Sequence, residues 1–373
     1  MAAPRILITG NMGYVGPGVV RTLRQAFPEA ELTGFDLGLF AHCLTGTARL
    51  PESYLDRQVF GDVRAFPAAL LAGVDAVVHL AAISNDPMGT AYEAVTLAVN
   101  HAASVALARQ ARQCGVPRFV FASSCSLYGL GGEEAKTEDA ALHPLTAYAR
   151  SKAATERDLR ALADDGFQVT CLRFATACGW SERLRLDLVL NDFVASATAT
   201  GCINILSDGT PWRPLIHVRD MARAVLWAVG RSARRGGHFL SVNVGTDAWN
   251  YRVRELAEAV AQAIPGTRVQ LDPEAPADRR SYRVDFGLFR RLAPHHQPRH
   301  TLAGTIAELH EHLRAIDFHD ASFRSSRLMR LRVLRELQDA GGLSAELAFV
   351  PVPVPVPVPA PAPVPVHFRH ELA

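Results

Sequence analysis

The sequence lacks several features that would each assign it to a particular class of protein. It has no excess of charge of one sign, because 39 lysine and arginine residues are balanced by 37 aspartate and glutamate residues, which gives a formal net charge of +2. Nucleic-acid-binding domains usually carry a basic excess, so this balance favours an enzyme of small molecules. The chain also contains no apolar run long enough to cross a membrane. We therefore expect neither a nucleic-acid partner nor a membrane partner.

Paired cysteines are also absent. No two of the six cysteines form a C-x-x-C pair, and they lie at positions 43, 114, 125, 171, 178 and 202. In a chain of 373 residues this scatter is typical of reduced thiols rather than of a disulfide framework. No basic region with an apolar stretch and a cleavage site precedes the first predicted strand. We therefore expect a cytoplasmic protein.

A metal site is not predicted either. His79 and His217 lie at the ends of predicted strands, but no third ligand has a suitable spacing. We interpret both as structural histidines and expect no metal.

What the chain does contain is an alternation of short β-type runs with helical stretches rich in alanine and leucine. The helical stretches include 16–27, 100–115 and 219–230. The runs predicted as strands are 5–10, 31–36, 57–62, 75–82, 118–124, 167–174 and 239–245. Strands that alternate with helices predict an α/β fold with a doubly wound parallel sheet of the Rossmann type, which has helices on both faces.

The first predicted strand ends in three glycines with the spacing T-G-x-x-G-x-x-G. In a dinucleotide-binding turn, Gly10 permits the tight turn, Gly13 lets the backbone approach a diphosphate, and Gly16 lets the next helix pack closely. That helix would direct free amides and a partial positive charge toward the phosphates. Asp36 ends the next strand about 20 residues later, where a carboxylate accepts hydrogen bonds from ribose hydroxyls and repels a 2′-phosphate. NAD is therefore favoured over NADP, and a simple turn role for Asp36 is the second interpretation.

A second motif, YARSK, places Tyr148 and Lys152 four residues apart on one face of a predicted helix. A free tyrosine has a pKa of about 10 and is a poor base at neutral pH. A neighbouring ammonium and a cationic nicotinamide ring would favour the phenolate and lower this pKa. The phenolate would then take a proton from a substrate hydroxyl while hydride leaves the same carbon. The motif predicts a proton-transfer pair, and a chance surface pair is the alternative interpretation.

Together these motifs resemble those of the extended short-chain dehydrogenase/reductase family, which includes the NAD-dependent sugar-nucleotide epimerases and dehydratases. Further segments similar to family motifs are GDV (61–63), HLAA (79–82), VN (99–100), RPLIHVRD (213–220) and DRRSYRVD (278–285). The resemblance covers about residues 5–317. It implies NAD as the cofactor, a nucleotide diphosphate sugar as the substrate and a homodimer as the assembly.

The resemblance also implies three groups of site residues. The catalytic group is Ser124, Tyr148 and Lys152. The cofactor-binding group is Gly10, Gly13, Tyr14, Val15, Gly16, Asp36, Asp62, Val63, Leu80, Ala81, Ala82, Asn100, Tyr148 and Lys152. The substrate-binding group is Ser84, Ser124, Cys125, Thr176, Asn191, Arg213 and Arg280. The two arginines would clamp the substrate diphosphate, because a planar guanidinium meets phosphate oxygens bidentately, and Cys125 would line the pocket.

The resemblance and the element pattern together predict the domain organisation. The predicted segments are an NAD-binding Rossmann domain (1–180, completed by about 217–245), a smaller mixed α/β substrate lobe (181–216 and 246–320), a C-terminal helical segment (321–345) and a Pro-Val-rich disordered tail (346–373). The substrate lobe would begin with a helix over 184–199. A helix over 324–337 would carry Leu328, Leu331 and Leu334 on one face. We interpret it as a packing helix with a solvated basic rim rather than as a site for a phosphate or an acidic partner.

The predicted reaction is epimerisation through a transient keto-sugar, with Tyr148 as the base and NAD recycled. A 4,6-dehydratase or another NAD-dependent sugar oxidoreductase is the alternative enzyme. A non-catalytic NAD-binding regulatory protein is an alternative of a different class. The dehydratases of this family carry an Asp-Glu pair directly after the catalytic hydroxyl residue, whereas Cys125 and Ser126 occupy those places here. Neither side chain is a suitable acid for expelling hydroxide, so the epimerase is preferred.

Overall fold

The computed structural model of the chain describes residues 3–271 and 280–351, so the Pro-Val-rich tail lies outside the described residues from position 352 onward. The strands of the described part are, in chain order, β1 (Arg5–Thr9), β2 (Glu31–Asp36), β3 (Arg57–Phe60), β4 (Ala76–His79), β5 (Arg118–Ser124), β6 (Leu130–Lys136), β7 (Gln168–Phe174), β8 (Thr176–Cys178), β9 (Cys202–Ile205), β10 (Trp212–His217), β11 (Phe239–Val244), β12 (Asn250–Arg252), β13 (Arg268–Leu271) and β14 (Ser281–Val284).

The α-helices of the same part are α1 (Gly16–Ala26), α2 (Asp86–Ala91), α3 (Glu93–Leu97), α4 (Ser104–Gln113), α5 (Ala147–Arg160), α6 (Val189–Thr200), α7 (Val218–Gly230), α8 (Val253–Ala263), α9 (Gly287–Leu292), α10 (Leu302–Ala315) and α11 (Arg330–Asp339). A π-helical stretch, Ala98–Ala103, joins α3 to α4. Short 3₁₀ turns follow β5 at Cys125–Tyr128 and precede α11 at Phe323–Ser325.

Seven strands form one parallel sheet in the order β3-β2-β1-β4-β5-β7-β11. All seven coincide with predicted strands, and the predicted doubly wound fold class is confirmed. The sheet is covered on both faces, because alternate side chains of β1 enter two different cores: Ile6 and Ile8 join one apolar cluster, and Leu7 joins the other. The α1 helix contributes Leu23 to the first cluster, and α4 contributes Leu107 to the second. Burial on both faces explains why these strands consist of continuous apolar runs.

The strands β1 and β4 are parallel neighbours at the centre of the sheet. From β1 the chain first builds the sheet toward β3, and from β4 it builds the sheet in the opposite direction, toward β11. In an open parallel sheet, ligands bind beyond the carboxyl ends of the strands at such a reversal point. This topology therefore places the binding crevice beside the glycine turn that follows β1.

The remaining strands form smaller sheets beside the main one. The β8, β10 and β12 strands form a three-stranded sheet, while β9 pairs with β13 and β6 pairs with β14. Two helix predictions in this part of the chain need correction. The helix predicted over 184–199 begins only at Val189, because the preceding residues are irregular, with bends over 186–188, and the amide of Leu186 donates to the carbonyl of Leu328. The helix predicted over 324–337 begins at Arg330, so Leu328 precedes it.

Candidate active site

The carboxyl ends of the central strands border a single large cavity of about 710 Å³, a volume typical of small-molecule sites. The predicted site residues on its wall are Gly10, Gly13, Tyr14, Val15, Asp36, Asp62, Val63, Leu80, Ala81, Ala82, Ser84, Ser124, Tyr148, Lys152, Thr176, Arg213 and Arg280. We call the part lined by Gly10, Gly13, Asp36, Asp62 and Arg64 the glycine-loop half. The part lined by Arg213, Arg280 and Tyr282 is the arginine half.

The glycine turn is closely packed against its neighbours. Gly10 has a φ of +74°, and its amide donates to the carbonyl of Phe35 at 2.8 Å. A Cβ on Gly10 would lie 2.4 Å from the amide nitrogen of Ala81, and one on Gly16 would lie 2.0 Å from the carbonyl oxygen of Asn11. Among the described residues, no side chain caps the first turn of α1. A narrow glycine cradle at an uncapped helix N-terminus fits a dinucleotide diphosphate.

Asp36 ends β2 with its carboxylate at the cavity wall. Its Oδ2 accepts a hydrogen bond from the amide of Met12 at 2.9 Å, and its Oδ1 accepts one from Gly38 at 2.7 Å. These bonds orient the carboxylate and leave lone pairs for ribose hydroxyls. Burial raises the pKa of Asp36 above its ordinary value, and the two amides oppose that rise. The carboxylate of Asp62 is instead paired with a side chain, because the guanidinium of Arg64 donates to both of its oxygens.

The three predicted catalytic side chains meet at one place on the wall. Tyr148 and Lys152 lie one turn apart on α5, whose N-terminus is capped by the Thr146 hydroxyl. The Lys152 Nζ lies 5.8 Å from the centre of the Tyr148 ring and donates to the carbonyl of Ala122 at 2.7 Å. Ser124, at the end of β5, lies close enough to the Tyr148 hydroxyl to lower its pKa.

The pKa of the tyrosine differs from the expectation. Burial raises the pKa of Tyr148 from 10.0 to about 12, and the nearby Ser124 side chain opposes that rise. Burial also lowers the pKa of Lys152 from 10.5 to about 7. The expected lowering of the tyrosine pKa is therefore absent in the protein alone, since the Lys152 amine is directed at a backbone carbonyl. A positively charged ligand beside the ring would lower the pKa of Tyr148.

The predicted diphosphate clamp borders the arginine half. Arg280 donates through Nη1 to the Asp86 carboxylate at 2.7 Å, and Arg213 donates to the backbone carbonyl of Arg280. Asp86 also accepts a hydrogen bond from the Thr146 hydroxyl at 2.6 Å. The carboxylate thus connects the clamp to the N-terminus of α5, which carries Tyr148.

Two of the predicted cofactor-binding residues lie behind the cavity wall. Gly16 packs on the backbone of Asn11 and does not reach the cavity. Asn100 is fully buried, and its side chain accepts from the amide of Ile83 at 2.8 Å and donates to the carbonyl of the same residue at 2.9 Å. Asn100 therefore holds the loop after β4 in place and makes no direct contact with the cavity.

Two predicted substrate residues also lie behind the wall, and the pocket-lining role expected for Cys125 is wrong. The 3₁₀ turn after β5 directs its side chain into the core, where Sγ donates to the carbonyl of Arg173 at 3.1 Å. Burial there raises the pKa of the thiol. Asn191 is fully buried too, and its Nδ2 donates to the Tyr14 hydroxyl at 3.0 Å. Both side chains support the wall from behind.

A buried network in the wall was not predicted. Arg185 forms a two-point ion pair with Asp187, with Nε–Oδ1 at 2.8 Å and Nη2–Oδ2 at 3.0 Å. Arg185 also donates to the Ser84 hydroxyl at 2.8 Å, and Asn85 donates to Asp187 at 2.8 Å. The stretch RLRLD, residues 183–187, alternates charged and apolar residues, a pattern that does not match the helical period assumed in the prediction.

Two further features of the wall were also missed. Ser126 borders the cavity, and its buried hydroxyl has no hydrogen-bond partner among the described residues. A buried hydroxyl without a partner is unusual in a folded protein and marks this part of the wall. The second feature is a stretch we call the C-terminal wall, residues 323–349, whose members on the cavity surface are Arg324, Met329, Arg330 and Leu347.

The two histidines flagged in the sequence have ordinary partners. His79 is buried between the hydroxyls of Thr9 and Ser104, at 2.6 and 2.7 Å, and burial lowers its pKa to about 3. His217 lies 2.8 Å from the carboxylate of Glu308. Within residues 3–271 and 280–351, no cluster of three or more histidine, cysteine or acidic side chains is arranged to hold a metal ion. None of the helices in those ranges has the length and apolar character needed to span a bilayer.

Comparisons with known proteins agree with this geometry. Residues 6–245 match the profile of the NAD dependent epimerase/dehydratase family. The chain is 28% identical over 316 residues to the dTDP-glucose 4,6-dehydratase of Streptomyces griseus. The aligned region covers 82% of this chain and 94% of that protein. It is 28% identical over 306 residues to the UDP-glucose 4-epimerase of Azospirillum brasilense, covering 74% of this chain and 83% of that one. It is similar to the solved structure of MoeE5 in complex with UDP-glucose and NAD, with a TM-score of 0.69, 27% identity and coverage of 83% and 99% of the two chains.

Proposed function

The chain belongs to the NAD dependent epimerase/dehydratase family, and from this premise we propose that it is an NAD-dependent epimerase of a nucleotide diphosphate sugar, with Tyr148 as the base. The observation that carries the proposal is the meeting of Ser124, Tyr148 and Lys152 in the same cavity as Gly10 and Asp36. A proton-transfer group beside a dinucleotide site is the arrangement that oxidation of a hydroxyl requires.

The glycine-loop half would hold the dinucleotide. The turn at Gly10 and the uncapped N-terminus of α1 would receive the diphosphate, and Asp36 would accept hydrogen bonds from the adenosine ribose. Lys152 would donate to the hydroxyls of the nicotinamide ribose. When bound, NAD supplies a hydride acceptor and later returns the hydride.

The proton is handled by this chain's own residues. Tyr148 would take it from the hydroxyl of the sugar carbon that is oxidised, and Ser124 would hydrogen-bond the same oxygen. With a pKa of about 12, the phenol of Tyr148 keeps its proton at neutral pH in the protein alone. Its activation therefore depends on positive charge brought by the ligands, which couples proton transfer to the presence of the oxidised cofactor.

The arginine half would hold the sugar nucleotide. Arg213 and Arg280 would meet the diphosphate oxygens. Ser126 and Thr176 border the cavity, and Thr176 would meet the sugar there. The sugar would thus extend from the arginine half toward Tyr148.

Epimerisation is favoured over dehydration because, within residues 3–271 and 280–351, the carboxylates of Asp86 and Asp187 on this wall are engaged by other side chains. A 4,6-dehydratase has to protonate a departing hydroxide near the ring. Cys125 is buried behind the wall, and the carboxylate of Asp86 is engaged by Arg280 and Thr146. The carboxylate of Asp187 is engaged by a two-point pair with an arginine. An epimerase needs only rotation of the keto-sugar and return of the hydride.

A 4,6-dehydratase is the second candidate, and Asp86 is the observation that favours it. Its carboxylate lies near enough to Tyr148 to raise the pKa of the phenol. Release of Asp86 from Arg280 on substrate binding would provide an acid at the ring.

Incubation with candidate nucleotide sugars in deuterated water separates these functions. Simple C4 epimerisation gives a product of unchanged mass with no deuterium bound to carbon. A product lighter by one water, with deuterium at C6, would establish the dehydratase instead. No turnover of any candidate, together with NAD binding, would favour a regulatory protein.

The role of Tyr148 is tested by Tyr148→Phe, with Tyr251→Phe as the matched control because Tyr251 is not on the cavity wall. Turnover of Tyr148→Phe should fall about 10²–10⁴-fold, the usual contribution of general acid–base catalysis. NAD affinity should be retained, and the control should keep full activity. Wild-type turnover by Tyr148→Phe would exclude Tyr148 as the base.

A further inference from the structure

We propose that the C-terminal wall is part of the dinucleotide site and that Arg330 supplies a positive charge to the diphosphate of NAD. This proposal rests on the proposed function, because it assumes that the glycine-loop half binds NAD. It assigns a ligand to a buried cation outside the matched family region, which ends at residue 245.

The first argument is the charge of Arg330. Its side chain lines the cavity and is only 1% exposed. The guanidinium donates to the backbone carbonyls of Arg183 at 2.8 Å, Leu184 at 3.1 Å and Arg327 at 3.1 Å. Among the described residues, no carboxylate lies within ion-pair distance of it. The other buried arginine of the wall, Arg185, is instead paired with a carboxylate.

A buried cation without a counter-ion is costly, so this one calls for an anion. Burial lowers the pKa of Arg330 to about 10, and the side chain therefore keeps its charge at neutral pH. Its place on the wall puts that charge beside the cavity, where it would act on a bound anion through a poorly solvated environment.

The second argument is position, which favours the dinucleotide over the sugar nucleotide. The guanidinium carbon lies 5.0 Å from the ring centre of Phe40, in the loop that follows Asp36. The 183–184 backbone that holds Arg330 continues from Ser181, whose hydroxyl donates to the carbonyl of Tyr14 in the glycine turn at 2.7 Å. These contacts tie Arg330 to the glycine-loop half, whereas the predicted substrate clamp borders the other half.

The third argument is enclosure. Leu334, Leu343 and Leu347 form one apolar cluster with Leu39 and Ile83, which belong to the loops after β2 and β4. The C-terminal wall therefore joins two loops that border the glycine-loop half.

Polar contacts secure the same enclosure. Arg64, beside Asp62, donates to the backbone carbonyl of Glu346 at 2.7 Å. The Tyr92 hydroxyl donates to Gln338 at 2.6 Å. Leu347, which lines the cavity, is 1% exposed and has a φ of +56°, a conformation that a leucine keeps only where packing imposes it. A dinucleotide in this half would therefore lie under the wall, and its exchange would require the wall to open.

The test compares Arg330→Gln with Arg332→Gln, a control on the same helix whose side chain is half-exposed and paired with Glu336. NAD is titrated calorimetrically into each protein at 50 and 200 mM salt, and UDP and dTDP serve as probes of the other half. We expect Arg330→Gln to weaken NAD about 10- to 100-fold and to reduce the salt dependence of binding. Arg332→Gln should bind NAD like the wild type, and neither variant should change UDP or dTDP affinity.

The outcomes separate this proposal from the proposed function. If the wild type does not bind NAD, the proposed function fails. If it binds NAD and Arg330→Gln binds equally well, or if the loss falls on UDP or dTDP instead, the assignment of Arg330 is overturned. Hydrogen exchange of the wild type with and without NAD keeps the proposal testable should Arg330→Gln not fold. NAD should slow exchange in residues 323–349, and unchanged exchange there would overturn the proposal.

Discussion

Replacing Lys152 with methionine should stabilise the protein at neutral pH while it removes activity. Lys152 is 2% exposed, and burial lowers its pKa from 10.5 to about 7. In the unfolded chain a lysine keeps its proton up to about pH 10.5, whereas the folded protein releases it near pH 7. Between these values the unfolded state binds more protons, so the free energy of unfolding rises with pH.

The size of this change in the free energy of unfolding follows from the difference between the two pKa values of Lys152. At about 1.4 kcal/mol per pH unit, the rise between pH 7 and pH 10.5 is about 4–5 kcal/mol. Methionine keeps the unbranched stem and removes this penalty, but it leaves the carbonyl of Ala122 without its donor. That loss costs about 1–3 kcal/mol. Lys152→Met should therefore be more stable than the wild type by about 1–4 kcal/mol at pH 7, and less stable near pH 10.5.

The assay is urea unfolding followed by circular dichroism at several pH values between 7 and 10. Lys136→Met is the matched control, because Lys136 is the other lysine of the chain and is not on the cavity wall. The wild type and the control should gain stability across this range, and Lys152→Met should show a flatter curve. Parallel curves for the wild type and Lys152→Met would refute the reasoning. Turnover of Lys152→Met should fall about 100-fold or more, since the lysine is proposed to orient the reacting groups.

Two further predictions concern cofactor choice and the core. The wild type should bind NAD about 10- to 100-fold more tightly than NADP, because Asp36 repels a 2′-phosphate. Asp36→Asn should reduce this difference in affinity. Equal affinities of the wild type for NAD and NADP in calorimetric titration would contradict the prediction. Glu156→Gln should lower the free energy of unfolding by about 3–5 kcal/mol, because the Glu156 carboxylate accepts hydrogen bonds from Nε and Nη2 of buried Arg173 and others from Ser123 and Ser241. Glu258→Gln, which alters an exposed pair, is the control in the same urea titration, and similar losses in the two variants would contradict the assignment of Glu156.

Local sequence patterns were sufficient for the sheet and for the two main motifs. Seven apolar runs separated by helical stretches require a parallel sheet that is covered on both faces, because such strands have no polar face for solvent. The positions of Gly10 and Asp36 at the ends of neighbouring strands place both at one edge of that sheet. The four-residue spacing of Tyr148 and Lys152 places both on one face of α5, because a helix turns once in about 3.6 residues. Each of these inferences depends on the geometry of a single element or of adjacent elements.

The direction of side chains at strand ends was decided only by tertiary structure. Cys125 follows Ser124 directly, yet the 3₁₀ turn after β5 directs the thiol into the core and leaves Ser124 and Ser126 on the cavity wall. The pKa of Tyr148 is similarly decided by the depth of its burial rather than by its spacing from Lys152. Burial depends on contacts with many elements, so it cannot be predicted from a local sequence pattern.

The sequence also did not predict that the C-terminal wall completes the cavity. Arg330 reaches the wall through hydrogen bonds to residues 183–184, almost 150 positions earlier in the chain. By itself α11 shows an apolar stripe with an arginine rim, a pattern that predicts packing and does not identify the partner. The sequence thus determined which elements form and which motifs stand at the strand ends. Only the packing of distant elements decided which charges became buried without a counter-ion, because desolvation depends on every neighbour at once.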